Sequence, residues 1–176
     1  MSGNLEKEFR ADIIRSALAH GYHLVDIPDE LKNALAVFPE LAPKLKGFIR
    51  KKPYDLGFLS QGRYCGLELK RITDAFSFVP RNVFDVDGVQ HEQLQECRRE
   101  GGFGGLLVNF RFAVTAKQKE KMDMKSWLLD LTYLVPSAII DVDHRYTLRE
   151  LQTDSRIIEL KHVDGLYDLE PIWTST

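Results

Sequence analysis

Pro53-Tyr-Asp55-Leu-Gly-Phe-Leu-Ser-Gln-Gly62-Arg-Tyr-Cys-Gly-Leu-Glu68-Leu-Lys70-Arg71 is the stretch on which the reading of this chain turns. Tyr54–Leu59 and Arg63–Arg71 are strand-like, and Ser60-Gln61-Gly62 between them is a turn, so the stretch predicts a hairpin. Alternation along the second arm puts Glu68 and Lys70 on one face and Leu67 and Leu69 on the other. Paired arms lie about 5 Å apart, so Asp55 on the first arm can reach Glu68 on the second. Two carboxylates and an ammonium then converge on one side of an otherwise apolar sheet.

Two carboxylates held that close repel each other, and a hard divalent ion such as Mg²⁺ resolves the conflict with carboxylate, carbonyl and water ligands. Such an ion acidifies a bound water and stabilises charge on a phosphate, and Lys70 is suited to orient that water or offset the developing charge. A salt-bridged surface hairpin is the competing reading of the same residues. The chain holds two further Glu-Leu-Lys triplets, Glu30-Leu31-Lys32 and Glu159-Leu160-Lys161. The first follows Pro28-Asp29 at a helix start without a preceding strand. The second lacks a hairpin partner with a matched Asp. Context selects Glu68.

Outward from the hairpin, Asn4 is a plausible N-cap, and Leu5, Phe9, Ile13 and Ala17 form one stripe of an amphipathic helix that Gly21 stops. Tyr22–Ile27 reads as a short strand. Pro28, Pro39 and Pro43 punctuate the segment that follows, which ends in a basic run of Lys44, Lys46, Arg50, Lys51 and Lys52. Beyond the hairpin, a helix opens at Asp87 or Gly88 and runs to about Glu100, where Gly101-Gly102 closes it. Leu106–Val114 is a strongly apolar strand. The remainder predicts a helix around Ser126–Leu131, a strand at Ala138–Val142, a helix at Thr147–Gln152 and a strand at Arg156–Val163. This order predicts an α/β fold, a mixed β-sheet flanked by helices.

The 176 residues suit a single domain, 1–176, and a net charge of −2 excludes a wholly basic nucleic-acid-binding surface but not one basic face. Cys65 and Cys97 read as two reduced thiols rather than a disulfide framework. The N-terminus lacks a basic segment followed by an apolar run, and no stretch approaches a membrane span of about 18 apolar residues. No Gly-rich loop followed by Lys-Ser/Thr supports an NTPase. The five histidines show no zinc spacing with cysteine. Asp85-Val-Asp87-Gly88 lacks the later ligands of a calcium loop and reads as a turn and helix cap.

In combination, these residues resemble the PD-(D/E)XK nucleases, and among them the RecU-like Holliday junction resolvases of bacteria and phages. The carriers are Asp55 at the start of the hairpin, Gly62-Arg63-Tyr64 in its second arm, and Glu68-Leu69-Lys70. Leu5-Glu6-Lys7-Glu8-Phe9 is similar to that family's early helix. Gln90, eleven residues before Gly101-Gly102, and Leu106-Leu-Val-Asn-Phe-Arg111 are similar to its later helix and strand. The match spans roughly residues 3–112. It departs where His91 follows Gln90 rather than preceding it, and the region 28–53, a DNA-contacting insertion in that family, is not clearly matched.

The resemblance implies a restriction-endonuclease-like fold and a Mg²⁺-dependent endonuclease, with Mn²⁺ as a substitute, acting in the cytoplasm of a bacterial or phage-infected cell. It implies paired cuts in a four-way DNA junction by a homodimer, since two sites related by a two-fold axis match the junction's symmetry. Asp55, Glu68 and the Leu69 backbone carbonyl would hold the metal, with Glu6 (or Glu8) adding a carboxylate. Lys70 would position the attacking water, and Gln90 would orient water or phosphate. The basic run Lys44, Lys46, Arg50, Lys51 and Lys52 reads either as a phosphate-tracking strip or as a solvated face. Phe76 and Phe78 read as core or as a platform for an unpaired base. Arg71, on the strand face opposite Lys70, reads as structural, and Lys117, Lys119, Lys121 and Lys125 as a solvated loop.

Overall fold

The computed structural model describes residues 2–25, 55–60, 62–84 and 88–174, with side chains in the first helix from Lys7 onward. Helix α1 (Ser2–Ala19) begins before Asn4, so that residue lies inside the helix rather than at its cap. Phe9, Ile13 and Ala17 are buried, as their four-residue spacing requires. Gly21, at φ 74°, ends it, and its neighbour Tyr22 donates its N–H back to Ala17 O at 2.9 Å.

A short strand β1 (His23–Leu24) pairs antiparallel with β2 (Leu56–Ser60), and β2 pairs antiparallel with β3 (Arg63–Ile72). Gly62, at φ 75°, supplies the left-handed residue that the tight connection needs. Strand β4 (Ser77–Phe78) follows, then a 3₁₀ turn at Pro80–Asn82, then helix α2 (Val89–Arg99) with Gly88 at its N-cap. The chain returns along β5 (Phe103–Ala113), parallel to β3, so β3-α2-β5 is a crossover unit. The apolar run that predicts β5 is buried on both faces from Phe103 through Phe110, as a parallel pairing demands.

Helix α3 (Ala116–Lys121) stands where a solvated loop is predicted. Its capping box explains it, because the Thr115 hydroxyl accepts from the Gln118 N–H and the Gln118 side chain accepts from the Thr115 N–H. Its lysines stay outside the core, and Lys119 lies 4.3 Å from the ring of Trp127, which is 57% exposed. The helix predicted around Ser126–Leu131 is instead the start of strand β6 (Leu128–Pro136), antiparallel to β5. The strand predicted at Ala138–Val142 is a 3₁₀ turn at Ser137–Ile139. Then come β7 (Tyr146–Thr147), which pairs with β4, and helix α4 (Leu148–Thr153) with a Thr147–Glu150 capping box. The strand predicted at Arg156–Val163 divides into β8 (Ile158–Leu160) and β9 (His162–Val163), the latter pairing with β10 (Leu166–Tyr167). Helix α5 (Pro171–Thr174) follows, with Ile172 buried.

The main sheet runs β1-β2-β3-β5-β6-β8 and is mixed, with helices on both faces, so the fold is α/β as the element order predicts. One face, with Leu67, Leu69, Leu107 and Leu134, packs on α1. The other, with Ile72, Leu106, Val108 and Phe110, packs on α2 and α4. Phe78 belongs to this second core and Phe76 packs edge-on against Phe112 with ring centres 4.9 Å apart, so both serve the core rather than a base platform. Cys65 lies on the α1 face and Cys97 on α2, and both are free thiols whose pKa values burial pushes up.

Helix α2 approaches the sheet closely because Gly104 has no side chain. A Cβ there would lie 2.1 Å from Leu94 O. Gly104→Ala is expected to force the helix outward, at a cost of about 2 kcal/mol. Thermal denaturation would register that as a fall in Tm of roughly 4–8 °C.

Candidate active site

The β2–β3 ladder ends at the rung Leu56↔Leu67, and Asp55 stands where the next rung, opposite Glu68, would be. There the backbone bends, and the Asp55 carboxylate takes the place of a strand carbonyl: Leu69 N–H donates to Asp55 Oδ2 at 2.9 Å. A charged acceptor on a backbone donor is a strong bond and fixes the carboxylate at the mouth of the hairpin. In an antiparallel strand a residue's N–H and C=O project to the same side, so the Leu69 carbonyl also faces the side on which Asp55 sits.

Glu68 is 5% exposed, an unusual position for a carboxylate, while Lys70, two residues on and on the same face, is half-buried. Asp55, Glu68, Leu69 and Lys70 line one cavity of about 420 Å³, together with Lys7 and Arg10 from α1 and Val83 from the loop after β4. Residues from both sheet faces meet in it because it opens at the sheet margin, where β2 has not yet begun.

Gln90 lies in the first turn of α2. Cys97 Sγ donates to Phe103 O at 3.0 Å, and Leu94 sits over Gly104. Gln90, Leu94 and Cys97 follow at helical spacing, so Gln90 belongs to the stripe that faces the sheet. Because α2 runs back along β3 and β5, this places it toward the Glu68 and Lys70 rungs. It is half-buried and is not among the described residues that line the cavity. The neighbouring His91 packs 5.4 Å from the Phe84 ring, and burial lowers its pKa, which favours the neutral imidazole.

Of the two candidate helix carboxylates, Glu8 lies 3.5 Å from Arg71. Arg71 shares the face of Leu67 and Leu69, opposite Glu68 and Lys70, and its side chain is only 6% exposed, in keeping with a structural role. Glu6 lies in α1 one turn before Arg10, in the part of the helix whose side chains are not described. The insertion 28–53, with Lys44, Lys46, Arg50, Lys51 and Lys52, lies outside the described residues, as does Glu30-Leu31-Lys32. The third triplet is placed differently from the first hairpin's. Glu159 pairs across β8–β6 with Tyr133, a buried residue whose hydroxyl pKa burial pushes up to about 12, with the Glu159 charge adding to the rise.

Among the described residues no cluster of three or more His, Cys, Asp or Glu comes together in a metal-holding arrangement. Two carboxylates and a backbone carbonyl make a donor set of hard oxygens, which suits Mg²⁺, an ion that keeps several waters and needs one or two protein carboxylates. Sequence reasoning missed Lys7 and Arg10. Their signal is visible in retrospect, since Lys7, Arg10 and Ile14 form a stripe beside Phe9 and Ile13. No helix among the described residues is long and apolar enough to cross a membrane. Comparison of the chain with protein-family models gives no match, and comparison with curated proteins gives none.

Proposed function

We propose that this chain is a metal-dependent endonuclease of the PD-(D/E)XK kind that hydrolyses phosphodiesters in branched DNA. The observation that carries the reading is the gathering of Asp55, Glu68, Leu69 and Lys70 in one cavity at the sheet margin. The strand–hairpin–helix–strand order, with β3 and β5 parallel around α2, supports it. The preference for a four-way junction, and the homodimer that would cut it symmetrically, rest on the likeness of Gly62-Arg63-Tyr64 and its surroundings to the RecU-like resolvases.

In this reading Asp55, Glu68 and the Leu69 carbonyl hold Mg²⁺, with Glu6 as the further carboxylate and Mn²⁺ as a substitute. The bound ion supplies an acidified water and a counter-charge for the scissile phosphate. Lys70 places a positive charge beside the reacting phosphate and accepts a hydrogen bond from no one; its ammonium donates to the attacking water or to a phosphate oxygen. Gln90 orients the same groups by hydrogen bonds from its amide. The Asp55–Leu69 hydrogen bond holds the first carboxylate in place before substrate arrives.

The test is incubation of the purified protein with Mg²⁺ and either a four-way junction or a matched linear duplex. Paired symmetric nicks in the junction alone are expected, and chelation with EDTA abolishes them. Asp55→Asn is expected to lower the cleavage rate by about 10²-fold or more, since it removes the charge of a carboxylate that holds the metal. Cutting of the linear duplex at comparable rates would make the protein a duplex endonuclease on the same fold. Binding without cleavage would make it an architectural DNA-binding module.

A further inference from the structure

Arg10 is set into the wall of the cavity in an unusual way. Its Nε is buried and has no hydrogen-bond partner among the described residues. It lines both the 420 Å³ cavity and an adjoining narrow one of about 50 Å³, which is bordered by Ile14, Leu24, Val25, Asp55, Leu56 and Gly57. A buried guanidinium N–H without an acceptor is costly, and a ligand that draws the side chain into the cavity would supply one. Among the described residues, the lining of the larger cavity carries three cationic side chains, Lys7, Arg10 and Lys70, against two carboxylates, Asp55 and Glu68. A divalent ion on the carboxylates would widen that positive excess, and an anionic ligand would offset it.

We infer that Arg10, assisted by Lys7, holds an oxyanion of the substrate, a backbone phosphate of the nucleic acid, beside the Asp55–Glu68 pair. This inference rests on the nuclease reading for the identity of the ligand, but the oxyanion site itself is a property of the cavity. The planar guanidinium presents its N–H groups as a fork that matches two phosphate oxygens, and the partly buried setting reduces competition from water. Lys7, exposed on the same stripe one turn earlier, adds a point charge at the cavity mouth. Arg10 would thus fix the position of the strand along the hairpin mouth while Lys70 acts at the reacting centre.

The experiment compares the full-length wild type with R10Q, R10K and K7Q, all without divalent metal. In ¹⁵N-edited NMR, titration with inorganic phosphate is expected to shift the Arg10 Nε–H signal of the wild type. Against a four-way junction in EDTA, R10Q is expected to bind about 10- to 100-fold more weakly, the size of one lost charged hydrogen-bond pair. The slope of log affinity against log salt should fall by about one unit. R10K is expected to recover the slope but not the full affinity, because a point charge replaces the fork. K7Q should lose less, and the melting temperatures of all variants should stay near that of the wild type. An Arg10 signal indifferent to phosphate, or an R10Q protein with wild-type affinity and salt slope, overturns the inference even where the wild type cleaves junctions. A wild type that takes phosphate on Arg10 yet never cleaves DNA upholds the oxyanion site and removes the nuclease reading.

Discussion

A Lys70→Met protein is expected to cleave a four-way junction about 10²- to 10³-fold more slowly than the wild type in Mg²⁺, while binding it nearly as well in Ca²⁺. Methionine keeps most of the side chain's length and apolar bulk and removes only the ammonium. Lys70 is half-buried at the cavity wall, two residues past Glu68 and on its face. Charge placed where negative charge develops on a phosphate is worth more in a partly dry cavity than in water, and loss of one such donor commonly costs that range of rate. Binding should persist because most affinity for a polyanion comes from many spread contacts. The control is Lys161→Met, in the third Glu-Leu-Lys triplet, where the lysine is exposed beyond β8. Single-turnover kinetics on both variants decide the matter. A Lys70→Met rate within threefold of wild type, or an equal loss in Lys161→Met, would remove Lys70 from the chemistry.

Leu67→Ala, three residues away, should produce the opposite phenotype. Leu67 is fully buried on the other face of β3, opposite Leu56 and in the core that α1 caps with Phe9 and Ile13. Truncating a sealed leucine removes its transfer free energy and leaves a void, a loss of about 2–5 kcal/mol. For a loss of about 3 kcal/mol, Tm should fall by roughly 6–12 °C in a domain of this size. That is a large share of the stability of an ordinary domain, roughly 5–15 kcal/mol. Glu68 and Lys70 project from the other face of the strand, so as long as α1 keeps its place on the sheet the cleavage rate per folded molecule, measured well below the new Tm, should change little. Urea denaturation and single-turnover cleavage on the same sample separate the two effects. A stable Leu67→Ala protein with impaired cleavage would show that the two faces of β3 are not independent.

The pairing of Asp55 with the Glu68 rung was legible because a hairpin is local: the turn at Gly62 sets the register, and a period of two assigns every side chain to a face. The stripe of α1 and the extent of α2 were legible for the same reason, since helical spacing and Gly21, Gly88 and Gly101 act within a few residues. Thr115 and Gln118 carried the signal for α3 as well, a capping box in a polar segment whose lack of an apolar stripe hid it.

Leu128–Pro136 was beyond that reach. An apolar run of that length suits a buried strand or a buried helix equally well by periodicity, and only its pairing with β5 on one side and β8 on the other makes it a strand. The neighbours of the Asp55–Glu68 pair were decided in the same way. Lys7 and Arg10 lie more than forty residues before Asp55 in the chain, and nothing local relates them to the hairpin. They enter the cavity because burial of Phe9 and Ile13 against Leu67 and Leu69 lays α1 across the sheet margin. Local geometry set the carboxylate pair; the packing of a distant helix supplied the cations around it.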